Sequence, residues 1–185
     1  MATCDLTRGF NTGCLDGSGG GIDIFLVNYD TLFGTITYDP TTGAVDGLGT
    51  ATVYRYTGTK NSVSFTDTPA PNQENGTMAY NQTATVKIPK AEQTKHREIL
   101  GIAGRAKMMV FVRTSSNQII LLGRFKGMYL DAASSAGSGL AATDFDGYNL
   151  TFSAEESEQG VYLEAYTSLP FDNFVNITVS PDFDS

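Results

Sequence analysis

Alternation of apolar and polar side chains is most sustained between Glu74 and Ile88. There the even positions Met78, Tyr80, Gln82, Ala84, Val86 and Ile88 are mostly apolar, while Thr77, Asn81, Thr83, Thr85 and Lys87 are polar. A period of two puts these sets on opposite faces of an extended chain, so the segment is predicted as a long strand with one buried face. Gly147 to Ala154 repeats the pattern, with Tyr148, Leu150, Phe152 and Ala154 facing inward. Ile22 to Tyr29 is instead apolar on both faces near its middle, which predicts a central strand. A short strand is expected from Phe33 to Tyr38, ending at the turn chemistry of Asp39-Pro40-Thr41-Thr42-Gly43. Thr50–Tyr56 and Ser62–Thr68, joined by Thr57-Gly58-Thr59-Lys60-Asn61, predict a hairpin with Val63 and Phe65 on one face. Lys107–Arg113 and Gln118–Arg124 flank Thr114-Ser115-Ser116-Asn117 and predict a second hairpin.

One segment changes period. Ala91 to Ala103 carries Ile99, Leu100, Ile102 and Ala103 beneath a charged face of Glu92, Lys95, Arg97 and Glu98, with Pro89 before it and Gly104 after it. That pattern predicts one helix, lying across a sheet. The chain therefore divides into an irregular Gly-rich N-terminal arm over residues 1–21, a β core over 22–157 containing the helix at 91–103, and an acidic C-terminal extension over 158–185. Ala132 to Thr143 is almost wholly Ala, Ser and Gly and is expected as a mobile loop. The extension keeps Tyr162, Leu163, Tyr166, Leu169, Phe171, Phe174, Val175 and Ile177, too many large side chains for a disordered tail, so it is expected to dock on its own body or on a neighbour.

Length and composition agree with one mainly β domain: 185 residues, nine Tyr, eleven Phe, twenty Gly and 17% charged residues. Twelve Lys and Arg stand against twenty Asp and Glu, a formal charge of −8 that argues against gripping nucleic-acid phosphates by neutralising them. From Asp144 to Ser185 there is no Lys or Arg at all. The positive zone comprises Lys87, Lys90, Lys95 and Arg97 near the helix, then Arg105, Lys107, Arg113, Arg124 and Lys126. It is read either as a solvated face or as an intersubunit surface meeting the acidic C-terminal part. The N-terminus has neither a basic n-region nor an apolar h-region, and no run approaches a membrane span, so a soluble protein made in a cytoplasm is expected, with no membrane anchor. A reducing compartment favours free thiols at Cys4 and Cys14, and two Cys with one His cannot complete the usual structural zinc site. The N-x-[ST] matches at Asn75, Asn81, Asn149 and Asn176 follow from an Asn/Thr-rich β sequence.

Candidate chemistry falls away residue by residue. His96, the sole histidine, would have to serve any triad, yet it sits on the predicted helix within a turn of Ile99 and Leu100. The Gly-rich stretch Asp16 to Gly21 precedes a strand, whereas phosphate loops follow one and open a helix. In Asp144-Phe145-Asp146-Gly147 the Gly arrives at the fourth position of a would-be calcium loop instead of the sixth, so a structural turn is expected. Glu155 and Glu156 are adjacent on a strand and point to opposite faces. No catalytic, cofactor-binding or metal-ligating residue is assigned, no cofactor is expected, and the chain is read as a structural protein and not an enzyme.

The order of elements, with Gly20-Gly21-Ile22-Asp23-Ile24-Phe25-Leu26-Val27-Asn28-Tyr29, Glu74-Asn75-Gly76-Thr77-Met78-Ala79-Tyr80-Asn81-Gln82, the helix Ala91 to Ala103 and Gly147-Tyr148-Asn149-Leu150-Thr151-Phe152-Ser153, resembles the tail tube (major tail) proteins of tailed bacteriophages. The runs also resemble structural proteins of phages that infect Bacteroidetes. The likeness covers roughly residues 14 to 156 and rests on packing and turn patterns. It implies a β sandwich or barrel with one α-helix packed on the sheet, a long hairpin and extended terminal arms. Subunits would self-assemble into rings, commonly hexameric, and the rings would stack into a DNA-conducting tube in the virion tail, assembled in the host bacterial cytoplasm. Its partners would be further copies of itself, neighbouring tail or connector proteins, and genomic DNA passing without specific binding. Six copies would carry 6 × −8 = −48 formal charges per ring, the sign of a repelling channel. Physics adds that exposed sheet edges invite pairing and that a closed ring would satisfy them. The alternatives are a head-to-tail junction ring, a capsid-decorating protein, or a surface- or carbohydrate-binding β sandwich. The surfaces expected to make the contacts are the Thr50–Thr68 hairpin, the Ala132–Thr143 loop and the two arms.

Overall fold

The computed structural model describes residues 19–104, 107–141 and 143–181. The first arm lies almost wholly outside them, as do Cys4, Cys14 and Arg105. The described chain is mainly β.

Strand β1 (Gly21–Asn28) runs between β7 (Met108–Thr114) and β4 (Ala51–Thr57), antiparallel to both. Strand β8 (Ile119–Leu122) and then β12 (Val161–Tyr162) extend this sheet beyond β7. On the other side β13 (Ile177–Ser180) pairs in parallel with β4, giving a six-stranded sheet. The central position expected for the doubly apolar β1 is where it lies. Its residues alternate between two cores, with Ile24 and Leu26 in one and Phe25 and Val27 in the other.

The second sheet is built on β6 (Thr77–Pro89), which pairs with β5 (Ser64–Asn72) on one side and β11 (Gly147–Glu156) on the other. Two short strands, β9 (Tyr129–Leu130) and β10 (Ser135–Gly137), line the far side of β11. The first core lies between the sheets. Ala84, Val86, Ile88, Tyr148, Leu150 and Phe152 all meet the six-stranded sheet from the second. Each period-two strand thus buries the face its pattern marks, except that Met78 at the start of β6 stays half exposed.

Helix α2 (Gln93–Ala103) follows β6 two residues later than expected and buries only Ile102, with Ile99 packed at the edge of the first core. The other core is covered without a second full sheet. A helical turn α1 (Tyr29–Leu32), a small ribbon of β2 (Thr37–Tyr38) with β3 (Val45–Gly47), and the C-terminal segment supply Leu32, Val45, Leu163, Phe171 and Phe174.

Three expectations change, and a fourth, left open between the chain's own body and a neighbour, resolves to its own body. The Thr50–Thr68 hairpin does not form, because β4 pairs with β1 and β5 pairs with β6, so residues 58–63 carry the chain from one sheet to the other. A five-residue polar connector signals a reversal of the chain, and the strands' pairing partners decide whether it joins neighbours or crosses between layers. The long hairpin is instead β5–β6. The Phe33–Tyr38 strand shrinks to Thr37–Tyr38, since Tyr29 to Leu32 close a helical turn and Thr35 N–H donates to Leu32 O at 3.0 Å. Part of the Ala132–Thr143 loop is β10, paired to Gly147–Asn149. Residues 158–181 dock on their own body, through β12, β13 and three buried side chains of the second core.

Candidate assembly surface

The β5–β6 hairpin outruns its sheet. Pairing of β6 with β11 ends at Tyr80 opposite Glu156, and beyond it Ala70–Ala79, Pro71–Met78 and Asn72–Thr77 form a two-stranded ribbon. A free ribbon is only marginally stable in water. Its tip is held by the Asn75 N–H donating to Asn72 Oδ1 at 3.1 Å, and its Met78 side chain is half exposed. The outer edge of β5 carries Pro69 and Pro71, which offer no N–H to an added strand.

The opposite end of the same sheet is small-sided, with one large apolar side chain at a loop tip. Residues 138–146 join β10 to β11, and Leu140 at their tip is fully exposed, as is Val175 in the C-terminal segment. Asp144 Oδ2 accepts the Ala141 N–H at 2.9 Å, and Asp146 O accepts the Lys90 N–H at 2.8 Å. The Asp144-Phe145-Asp146-Gly147 run is thus engaged as a turn against the end of β6. Gly147 is required there: with φ +151, an added Cβ would lie 2.1 Å from Ile88 O. The unguarded edge is β10, whose Ser135, Ala136 and Gly137 are all exposed.

Helix α2 shares this end. Leu100 is 69% exposed. Lys95 Nζ donates to Pro89 O at 3.1 Å and Lys90 O at 3.2 Å and pairs with Glu92 at 3.4 Å. His96 is exposed on the helix, its ring 6.3 Å from that of Tyr148.

The expected positive zone is not one surface. Arg113 and Arg55 converge on Asp23, which is fully buried on the second-core face, with Arg55 Nε at 3.5 Å. Arg124 pairs with Glu158 of the same chain, its guanidinium 4.4 Å from the Phe125 ring centre, and Lys107 lies 5.2 Å over the Tyr29 ring. Part of the complementarity expected between subunits is therefore satisfied inside one. Lys87, Lys90 and Arg97 remain exposed around α2.

Glu155 and Glu156 do point apart. Glu155 is exposed, and Glu156 is buried with its carboxylate accepting backbone N–H groups from Phe125 at 3.1 Å, Lys126 at 2.8 Å and Gly127 at 3.0 Å. Buried Gln82 holds the adjoining turn, accepting the Gly123 N–H at 2.9 Å and donating to Glu158 O at 3.3 Å. Asp67 accepts the Gly160 N–H at 2.6 Å. Tyr29 donates its hydroxyl to Phe125 O, and burial, reinforced by Glu156, pushes its pKa above the usual tyrosine value. Each of these groups ties one stretch of chain to another. Asp23, Gln82 and Glu156 were missed as anchors by sequence reasoning. The available signal was a polar residue at an inward position of a strong strand pattern, as Gln82 is between Tyr80 and Ala84.

Among the described residues no helix is long and apolar enough to cross a membrane. Comparison with known proteins adds no relative, since no family model, no curated protein and no solved structure matches this chain.

Proposed function

We propose that this chain is a self-assembling structural subunit of a phage tail tube, stacking as rings around a channel for DNA. The observation that carries the reading is the overhanging β5–β6 ribbon. Three residue pairs project past the last strand that could support them, with Met78 exposed, and such a ribbon gains stability when a neighbouring subunit covers it. At the far end of the same sheet, exposed Leu140 and the unguarded β10 edge offer apolar surface and free backbone groups. A subunit with different features at its two ends suits head-to-tail, heterologous contacts, the kind that build rings and open-ended stacks. The formal charge of −8 fits a channel wall that repels DNA.

Negative-stain images of the purified full chain, with mass measurement, test this. Hollow tubes or stacked rings are expected. Isolated single rings would move the assignment to a head-to-tail junction, and a monomer persisting at high concentration would overturn both.

A further inference from the structure

We infer that Asn75 is a site of spontaneous covalent modification on the folded protein, its side-chain amide becoming a carboxylate through a cyclic imide formed with the Gly76 nitrogen. The inference concerns the subunit before any neighbour covers the ribbon, and it is tested on unassembled chain. Cyclisation requires the backbone nitrogen that follows an Asn to reach Cγ of the side chain. A Cβ on the following residue obstructs the approach, and a hydrogen bond made by the attacking N–H resists it.

Asn75-Gly76 is the single Asn-Gly pair in the sequence. Gly76 has φ +63, and a Cβ built on it would meet nothing within 4 Å. Neither the Gly76 amide nor the Asn75 side chain makes a hydrogen bond among the described residues. The bond that holds the tip, from the Asn75 N–H to Asn72 Oδ1, restrains none of the reacting atoms. Two further turns provide internal contrasts. Asn61 and Asn117 have φ 59 and 57, but the next amide is engaged in both: Ser62 N–H donates to Thr59 O at 3.2 Å and Gln118 N–H to Thr114 Oγ1 at 3.2 Å. Both following residues also carry a Cβ. Of these three turn asparagines, Asn75 alone combines an open neighbour with an unengaged nucleophile.

The step balances without any redox change. The Gly76 nitrogen gives its proton to hydroxide or water and bonds to Asn75 Cγ. Nδ2 takes a proton from water, the Cγ–Nδ2 bond breaks, and Nδ2 leaves as ammonia. Water adds to either carbonyl of the five-membered imide and opens it to aspartate or isoaspartate. The net change is one water in and one ammonia out. The formal charge of the chain goes from −8 to −9, the added charge lying beside Glu74. The isoaspartyl product also inserts a methylene into the main chain of the four-residue loop between Asn72 and Thr77. Like other charge-changing modifications, it acts through local repulsion and lost geometry.

The test follows the full chain at mildly alkaline pH, diluted until mass measurement shows a monomer, folded in one arm and unfolded by urea in the other, with peptide masses read over time. In the folded arm the Asn75 peptide is expected to gain acid and isoaspartyl forms at a rate approaching the unfolded one, while Asn61 and Asn117 lag far behind theirs. Gly76→Ala should slow conversion severalfold in both arms, and Asn75→Gln should abolish it at this position. Retention of the Asn75 amide in the folded arm alone would show that the tip protects it and overturn the inference. Equal conversion of Asn61 or Asn117 in the folded arm would do the same.

Discussion

The two faces of the six-stranded sheet are buried by different means. One, bearing Ile24, Leu26, Val110, Val112, Ile120 and Leu122, lies against a second sheet whose strands contribute Ala84, Val86, Leu150 and Phe152. The other, bearing Phe25, Val27, Val53, Met109, Phe111 and Leu121, is covered by single side chains from scattered segments, among them Leu163, Phe171 and Phe174 near the C-terminus. A strand apolar on both faces announces that two covers exist. Periodicity identifies a cover only when it is itself a strand or helix.

The largest expected effect comes from removing that irregular cover. Deleting residues 161–185 takes away β12, β13 and three buried side chains, each contributing about 1.5–3 kcal/mol by burial. Against a typical total stability of roughly 5–15 kcal/mol, the truncated chain should lose its cooperative unfolding transition. Denaturant melts followed by near-UV circular dichroism would show it. A truncated body that melts cooperatively would mean that the second face does not need its cover.

Phe171 sharpens the comparison within that cover. Its ring meets Phe25 and Phe111 edge-on, with centroids 5.0 and 5.3 Å away, while its backbone holds φ +69, a costly conformation for a bulky residue. Phe171→Ala should destabilise by about 3–5 kcal/mol, as should Phe152→Ala in the first core. Phe171→Gly loses the same ring but relieves the backbone, and should be no worse than Ala. If Phe171→Ala costs far less than Phe152→Ala in urea melts, the irregular cover is the looser of the two.

Asp23 is next in size. It is the charged residue on the second-core face of β1, and its carboxylate is fully buried. Asp23→Asn should cost about 3 kcal/mol, since it removes the buried charge that Arg113 and Arg55 share. A double-mutant cycle with Arg113→Met measures the coupling. Additive effects would show that the pair contributes little beyond its packing.

What was legible follows the same division. The regular strands β1, β6, β7, β8 and β11 came from local periodicity, because each buries a face that its own sequence marks, whereas helix α2 was found by its period but buries only Ile102 of the expected stripe and leaves Leu100 exposed. The fate of Thr50–Thr68 did not, since β4 and β5 have equally good strand patterns and only distant residues decide their partners. The docking of Phe171 and Phe174 was foreseen as composition and not as place. That Glu155 and Glu156 point to opposite faces was legible, but that Glu156 is a buried anchor was not. Its three backbone donors lie 29 to 31 residues away along the chain, beyond any local pattern.

The smallest effect distinguishes the two covers by pH. Asp172 accepts N–H groups from Ser168 at 2.7 Å, Thr167 at 3.0 Å and Leu169 at 3.2 Å, and these bonds hold its carboxyl below the ordinary 3.8. Asp131, accepting from the Ala133 N–H at 2.9 Å and the Ser153 hydroxyl at 2.7 Å, is lowered likewise beside the second sheet. With a folded pKa below the unfolded one, each contributes its stabilisation in full above the ordinary value and loses it as pH falls through the folded value. Asp172 is exposed and Asp131 only partly buried, so the global effect is small. The local effect should differ, because Asp131 braces strands inside a paired sheet while Asp172 braces a turn that hydrogen-bonds chiefly to itself. Below about pH 3.8, amide exchange should therefore rise first at residues 167–174 and only later along β9 and β11. Asp172→Asn should remove the early rise without altering exchange at β11. Simultaneous opening of both regions in the unmutated chain would show that the irregular cover and the sheet unfold as one unit.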